Sequence, residues 1–351
     1  MNASGVKLNV KYLIVSLIIL IILYKIGDPH EIAATLSRIN AKYFLSSILL
    51  YILASIFVAL ALQFSIASSG ERPPALKVVM ASFAGQLLSD ITPMRSGYFT
   101  TPYFLSKMSA TSLERGISGV FLVGIVNSLT KALIGSLAAV YIVWRIKFYD
   151  SILSRVIIYS SVIGVFMLLL IALALYVVLF NNKRVLSLLG KLPYIGEKAL
   201  SLAGNVKIDK EYLDRRYLVY SSIMIIASVI VNGLATMAVL KSVNPAYDLR
   251  ILDFIFIASI TPLFIYAPYT IAGLGLQETG YAALAVALYN IPVNEAVAFA
   301  FLARILFTGT DVIGLPVIAK YLAEARDAED SEASGLYKPS SKPANLSRNT
   351  R

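Results

Sequence analysis

Residues 43–68 carry no charged side chain, and 117–144, 156–180, 218–240 and 296–321 are almost as apolar. About 20 apolar residues in a helix cross the hydrocarbon core of a bilayer, so each of these runs is long enough to span. In hydrocarbon, every backbone amide and carbonyl must find a partner inside the protein, which a helix provides for itself. The chain therefore reads as an all-α polytopic membrane protein with about six to eight spanning helices. Its composition agrees: 58% hydrophobic and 15% charged residues, with a mean hydropathy of +0.76, lie far from the balance of a soluble domain.

Two places break the apolar pattern. Pro93, Arg95 and Gly97 follow Asp90, and Pro268, Gly273 and Gly275 precede Glu278. Proline removes a backbone donor and glycine weakens a helix, so both segments should fold back as re-entrant hairpins. Non-helical backbone at that depth is tolerated only where it is buried in protein or lines a wet cavity. The two breaks should thus face each other across the working site, with Pro93, Gly97, Pro268, Gly273 and Gly275 as hinges or gates.

Charge and rare residues narrow the function. A net charge of +11 matches basic loops beside anionic headgroups. No stacking platform accompanies the basic stretches, which argues against nucleic acid. Cysteine is absent and His30, the single histidine, lies beside Asp28 and Glu31 just after the first apolar run. A metal site needs several converging ligands, so no metal and no cofactor are expected.

In chain order, 12–24 should be a retained first helix and 28–42 a short amphipathic helix on the interface. Residues 76–107 form the first hairpin, with Ser82, Gln86, Ser89 and Asp90 on one face of its first arm. The basic loop 181–216 is placed in the cytoplasm by the positive-inside rule, with both termini on that side. Residues 251–289 form the second hairpin, 296–321 the last span, and 322–351 a disordered charged tail after a membrane domain of 1–321. One hairpin would enter from each side, each flanked by two spans. That order is the pattern of an inverted-topology repeat; eight or nine ordinary spans are the alternative.

Ionisable residues inside apolar segments usually face the bundle interior or a water-filled cavity. Asp90, Arg95, Lys131, Glu278, Arg304 and Asp311 are the candidates for substrate binding, with Asp253 expected at an interface. Arg304 and Asp311 are seven apart, on one helical face, free to pair with each other or with the hairpins. Arg95, on irregular backbone, would hold a phosphate together with free amides.

These pieces resemble a known family. Thr92-Pro93-Met94-Arg95-Ser96-Gly97, then Leu113-Glu114-Arg115, then 268–278 with its Gly-Leu-Gly-Leu-Gln-Glu ending, and Arg304 in the last span are similar to the membrane region of lysylphosphatidylglycerol synthetases, the flippase domain of the multiple peptide resistance factor and its stand-alone relatives. The similarity runs over about residues 10–320. The family pattern usually has an acidic residue where this chain has Tyr98 and a basic residue where it has Gln277, so the site is less charged here. The resemblance implies movement of a phosphate-bearing lipid between leaflets of the cell membrane, the substrate being a phospholipid or a polyprenyl-phosphate-linked lipid. It also implies a stand-alone member without the soluble aminoacyltransferase domain, hence no enzyme. A non-catalytic scaffold or regulator of a lipid or glycan biosynthetic enzyme, docking through 181–216, is the alternative. A lipid-phosphate enzyme is disfavoured because no nucleophile with a base and no paired-aspartate motif is present.

Overall fold

The computed structural model describes residues 10–146, 213–261, 270, 273–321, 323 and 324, with scattered helical residues between 159 and 176. Those residues are helical or in short connections, without strands. Ten helices have defined bounds: α1 (Val10–Ile26), α2 (Pro29–Ser37), α3 (Ala41–Ala67), α4 (Ala75–Asp90), α5 (Thr101–Met108), α6 (Leu113–Ile146), α7 (Arg215–Val243), α8 (Ile251–Ile260), α9 (Leu276–Tyr289) and α10 (Val293–Asp311). Among the described residues, four helices are long and apolar enough to cross a membrane, or up to five if the bent pair α1 and α2 counts as one. Most of the expected span 156–180, most of the loop 181–216, Pro268 and most of the tail 322–351 lie outside the described residues.

Local chemistry sets the starts of the helices. Asp28 accepts the His30 amide and Pro29 opens α2; Asn40 accepts the amides of Lys42 and Tyr43 to start α3. Asp214 does the same for α7 through Arg216. Each satisfies amides that the first turn leaves without an intrahelical partner. The bend of 81° between α1 and α2 falls at Gly27-Asp28-Pro29, and α2 buries Ile32 as its amphipathic pattern requires.

Small residues bring the spans together. Ser65 and Ser221 bond across α3 and α7 at 3.0 Å, and a side chain at Gly233 would strike the Ile255 backbone of α8. Small and weakly polar interfaces are how helices associate without a hydrophobic drive between them. The amide of Asp214 bonds to Ser68 at one end of this pair, and that of Asn40 to Ser242 at the other, so α3 and α7 run antiparallel.

The first hairpin forms as expected. After α4 the chain takes a tight 3-10 turn, Pro93–Thr100, and returns as α5. Gly97 lies so close to α4 that a Cβ would sit 2.3 Å from the Leu88 carbonyl carbon, and one at Gly85 would strike the Thr101 hydroxyl. Glu71, before α4, accepts from the amide (3.0 Å) and hydroxyl (2.8 Å) of Ser112 after α5. Both arms therefore open to the same end of the bundle, the end that holds Asp214.

The second broken segment opens to the other end. Asp253 near the start of α8 accepts from Tyr289 at the end of α9 and from Tyr141 of α6, both at 2.6 Å. Asp253 is fully buried, a three-helix tie rather than an interfacial charge. At this end the Lys241 ammonium also bonds to the carbonyl of Tyr247, whose hydroxyl donates to Glu295 at 2.7 Å. Burial, with that bond and the Glu295 charge, pushes the Tyr247 phenol up to about 12. The fold thus keeps a proton that an unfolded phenol loses near pH 10. Its contribution to stability should be complete below that pH and fade as pH rises through about 12. Alkaline melting curves of wild type and Tyr247→Phe should converge across this window; parallel curves would contradict the assignment.

Two apolar clusters fill the interior, one around Phe254, Tyr281, Phe299 and Leu306, the other around Leu62, Phe104, Phe121 and Val317. Each long span contributes to both and carries a polar residue between its two contributions: Ser55 on α3, Lys131 on α6, Asn232 on α7, and Asp311 at the end of α10, before Val317, Ile318 and Tyr321 of the same span. The seam between the clusters is therefore the polar layer. The last span does not run straight through it, because a 3-10 turn, Val312–Gly314, follows Asp311. Gly309, Gly314 and Pro316 carry the sequence signal for that break.

Candidate functional site

The 3-10 turn of the first hairpin aims Arg95 back at α4. Arg95 adopts a left-handed φ of 56°, a conformation that costs a non-glycine residue about 1–3 kcal/mol. Its guanidinium donates to the Ser89 hydroxyl at 3.0 Å and to Asp90 Oδ1 at 3.1 Å, and the Ser89 hydroxyl donates to its carbonyl at 3.1 Å. The amides near the break are in part engaged: that of Gly97 donates to Thr92 Oγ1 at 2.7 Å and that of Arg95 to the Thr92 carbonyl. The expected cradle of free amides is thus not formed by these two. What remains is the guanidinium, whose side chain is 30% exposed.

Asp311, at the end of α10, completes this first centre. It is fully buried and accepts from the Tyr51 hydroxyl of α3 at 3.4 Å, with Asp90 and Arg95 within electrostatic reach. One oxygen of each carboxylate, Asp90 Oδ2 and Asp311 Oδ1, is buried without a donor among the described residues. Lys131 of α6 lies within electrostatic reach of Arg95. No carboxylate is within salt-bridge distance of Lys131 among the described residues. The centre thus holds two cations against two carboxylates.

The second centre is built on α9 and α10. Gly273 and Gly275 take φ of 70° and 89°, which lets the backbone turn sharply into α9. Gly275 also fits closely against α1, since a Cβ there would lie 2.8 Å from Ile19. Glu278 Oε2 accepts the Gly275 amide at 2.6 Å, and Oε1 lies 3.3 Å from Arg304 Nε. The carboxylate thus caps the helix and pairs with the arginine at once. Gln277 Oε1 accepts from Arg304 Nη1 at 3.3 Å; a basic residue there would repel the guanidinium.

Arg304 and Asp311 do not pair with each other. They reach to opposite hairpins from one face of α10, about 10 Å apart at 1.5 Å per residue. Arg95, Asp90, Asp311 and Lys131 thus come together, Glu278 and Arg304 form a separate pair, and Tyr51 joins the first centre without having been singled out in the sequence. Its signal was its position: it lies ten residues into α3, too deep for an interfacial anchor. Among the described residues no group of three or more His, Asp or Glu could hold a metal ion.

Guanidinium and carboxylate pairs in a low-dielectric interior, with the Lys131 ammonium of the first centre outside salt-bridge distance of any carboxylate among the described residues, can take an anionic head. No curated protein matches the chain. Over residues 10–312 the sequence matches the lysylphosphatidylglycerol synthase TM region. With this match over most of its length and a helical, multi-pass architecture, the chain belongs to that family of lipid-related membrane domains.

Proposed function

We propose that this protein moves a phosphate-bearing lipid, a phospholipid or a polyprenyl-phosphate-linked lipid, between the leaflets of the cell membrane. The observation that carries the reading is that α10 holds two buried charged centres, each shared with a different broken segment, and that these segments open to opposite ends of the bundle. Arg95, Lys131 and Arg304 bind the phosphate in turn. Asp90, Glu278 and Asp311 hold these cations in place or carry a coupling proton. The breaks at Pro93, Gly97, Pro268, Gly273 and Gly275 let the segments shift as gates, while the acyl or prenyl tail stays in the bilayer. The end with Asp214 faces the cytoplasm, since Arg72, Lys77, Lys107, Arg215 and Arg216 gather there. On this reading the start of α1 and the end of the last span face the cytoplasm as well.

The test is headgroup translocation in proteoliposomes of the purified chain, with fluorescent phospholipid and polyprenyl-phosphate lipids as probes. Wild type should exceed protein-free vesicles, and Arg95→Ala should fall to their level. Transfer no faster than in empty vesicles removes the proposal. If the chain is instead a scaffold for a biosynthetic enzyme, deletion within 181–216 abolishes its cellular role while Arg95→Ala leaves it intact.

A further inference from the structure

Arg304, Phe307 and Asp311 are spaced by three and four residues, so they stand in one row along α10. Arg304 turns to Glu278 and Asp311 to Tyr51, which leaves Phe307 between the two charged centres. Its ring centroid lies 4.9 Å from that of Tyr51 and 6.1 Å from that of Tyr281. Tyr51 belongs to the first centre through its bond to Asp311. Tyr281 sits one turn beyond Gln277 and Glu278 on α9. Rings from α3, α9 and α10 thus make an aromatic layer between the two charged centres, within the first apolar cluster.

The three rings are not equivalent. Tyr51 and Tyr281 are buried, at 9% and 2% exposure, whereas Phe307 is only partly buried. Tyr51 is tethered by its hydroxyl to Asp311, and Tyr281 is held by enclosure alone, its buried hydroxyl having no hydrogen-bond partner among the described residues. Phe307 has no polar atom to tether it. An apolar constriction also excludes water and hydrated charge while it is closed.

We propose that Phe307 is the partition of the transport path, the residue that seals one charged centre from the other. Its ring swings out from between Tyr51 and Tyr281 when a phosphate head passes. The proposal rests on the transport reading and adds to it the residue that sets leak against passage. Removing the ring joins the two centres into one wet channel. Enlarging it slows passage without touching a charge.

The chain contains no cysteine, so single cysteines report without background. In sealed proteoliposomes, Ser89→Cys marks the first centre and Gln277→Cys the second. The probe is a membrane-impermeant methanethiosulfonate that carries a sulfonate. With Phe307 in place, Ser89→Cys should react only from the side of Glu71 and Ser112, and Gln277→Cys only from the side of Arg250 and Tyr289. With Phe307→Ala, each should react several-fold faster from the side that was silent. Phe307→Leu supplies the same contrast with a smaller cut if the alanine variant does not fold. Reaction from both sides with Phe307 present, or sidedness unchanged without its ring, overturns the proposal. Labelling needs no lipid transfer: sided labelling in a chain that moves no lipid keeps the partition and removes the transport reading, and lipid transfer without sidedness does the reverse.

Discussion

Arg304→Ala is expected to lower the stability of the folded protein by about 3–5 kcal/mol, the usual consequence of stripping one member from a buried ion pair. Glu278 is 1% exposed, so the substitution leaves a carboxylate in the interior with backbone amides, that of Gly275 among them, but no guanidinium against it. Thermal unfolding in detergent, followed by loss of helical signal, should show a large drop in midpoint, and headgroup transfer should vanish with it. Glu278→Gln in the Arg304→Ala background should recover part of the stability, because a neutral amide no longer needs the guanidinium, but none of the transfer. A single variant that melts with wild type would show that the pair contributes nothing to the fold.

Gly314→Ala and Gly309→Ala, five residues apart, should behave in opposite ways. A Cβ at Gly314 would lie 2.3 Å from the Ala84 amide nitrogen and 2.4 Å from the Phe83 carbonyl carbon, both backbone atoms of α4. Neither can rotate aside, so the helices must separate, at a cost of about 1–3 kcal/mol or more. Around Gly309 nothing lies within 4 Å, and alanine there should raise helix stability by about 0.5–1 kcal/mol. Melting points that move in the same direction would mean that α4 does not press on the turn after α10 as described.

The sequence was legible where physical rules are local. The spans follow from runs of apolar residues, and the first hairpin from Pro93 and Gly97, because missing donors and side chains act at the positions that carry them. Partners were another matter. Arg304 and Asp311 share a face, which was readable, but their reach to Glu278 and to Tyr51 depends on how α9 and α3 pack against α10. Tyr51 was one of 21 tyrosines, and only its depth in α3 set it apart. Phe307 gave no signal, since a phenylalanine in an apolar span looks like any other until its neighbours are rings from other helices. Asp253 was read as interfacial because it starts an apolar run, yet two phenols from helices far apart in sequence bury it. Engagement of the Gly97 amide by Thr92, five residues earlier in the same turn, was also hidden.

The two re-entrant segments are fastened unequally at their mouths. Asp253 is fully enclosed and takes a phenol from α6 and another from α9, whereas Glu71 and Ser112 meet in solvent. An enclosed tie resists competition from water; a wet one exchanges with it continually. One mouth is therefore riveted and the other laced, so thermal breathing starts at the arginine-rich rim and the opposite half moves as a block.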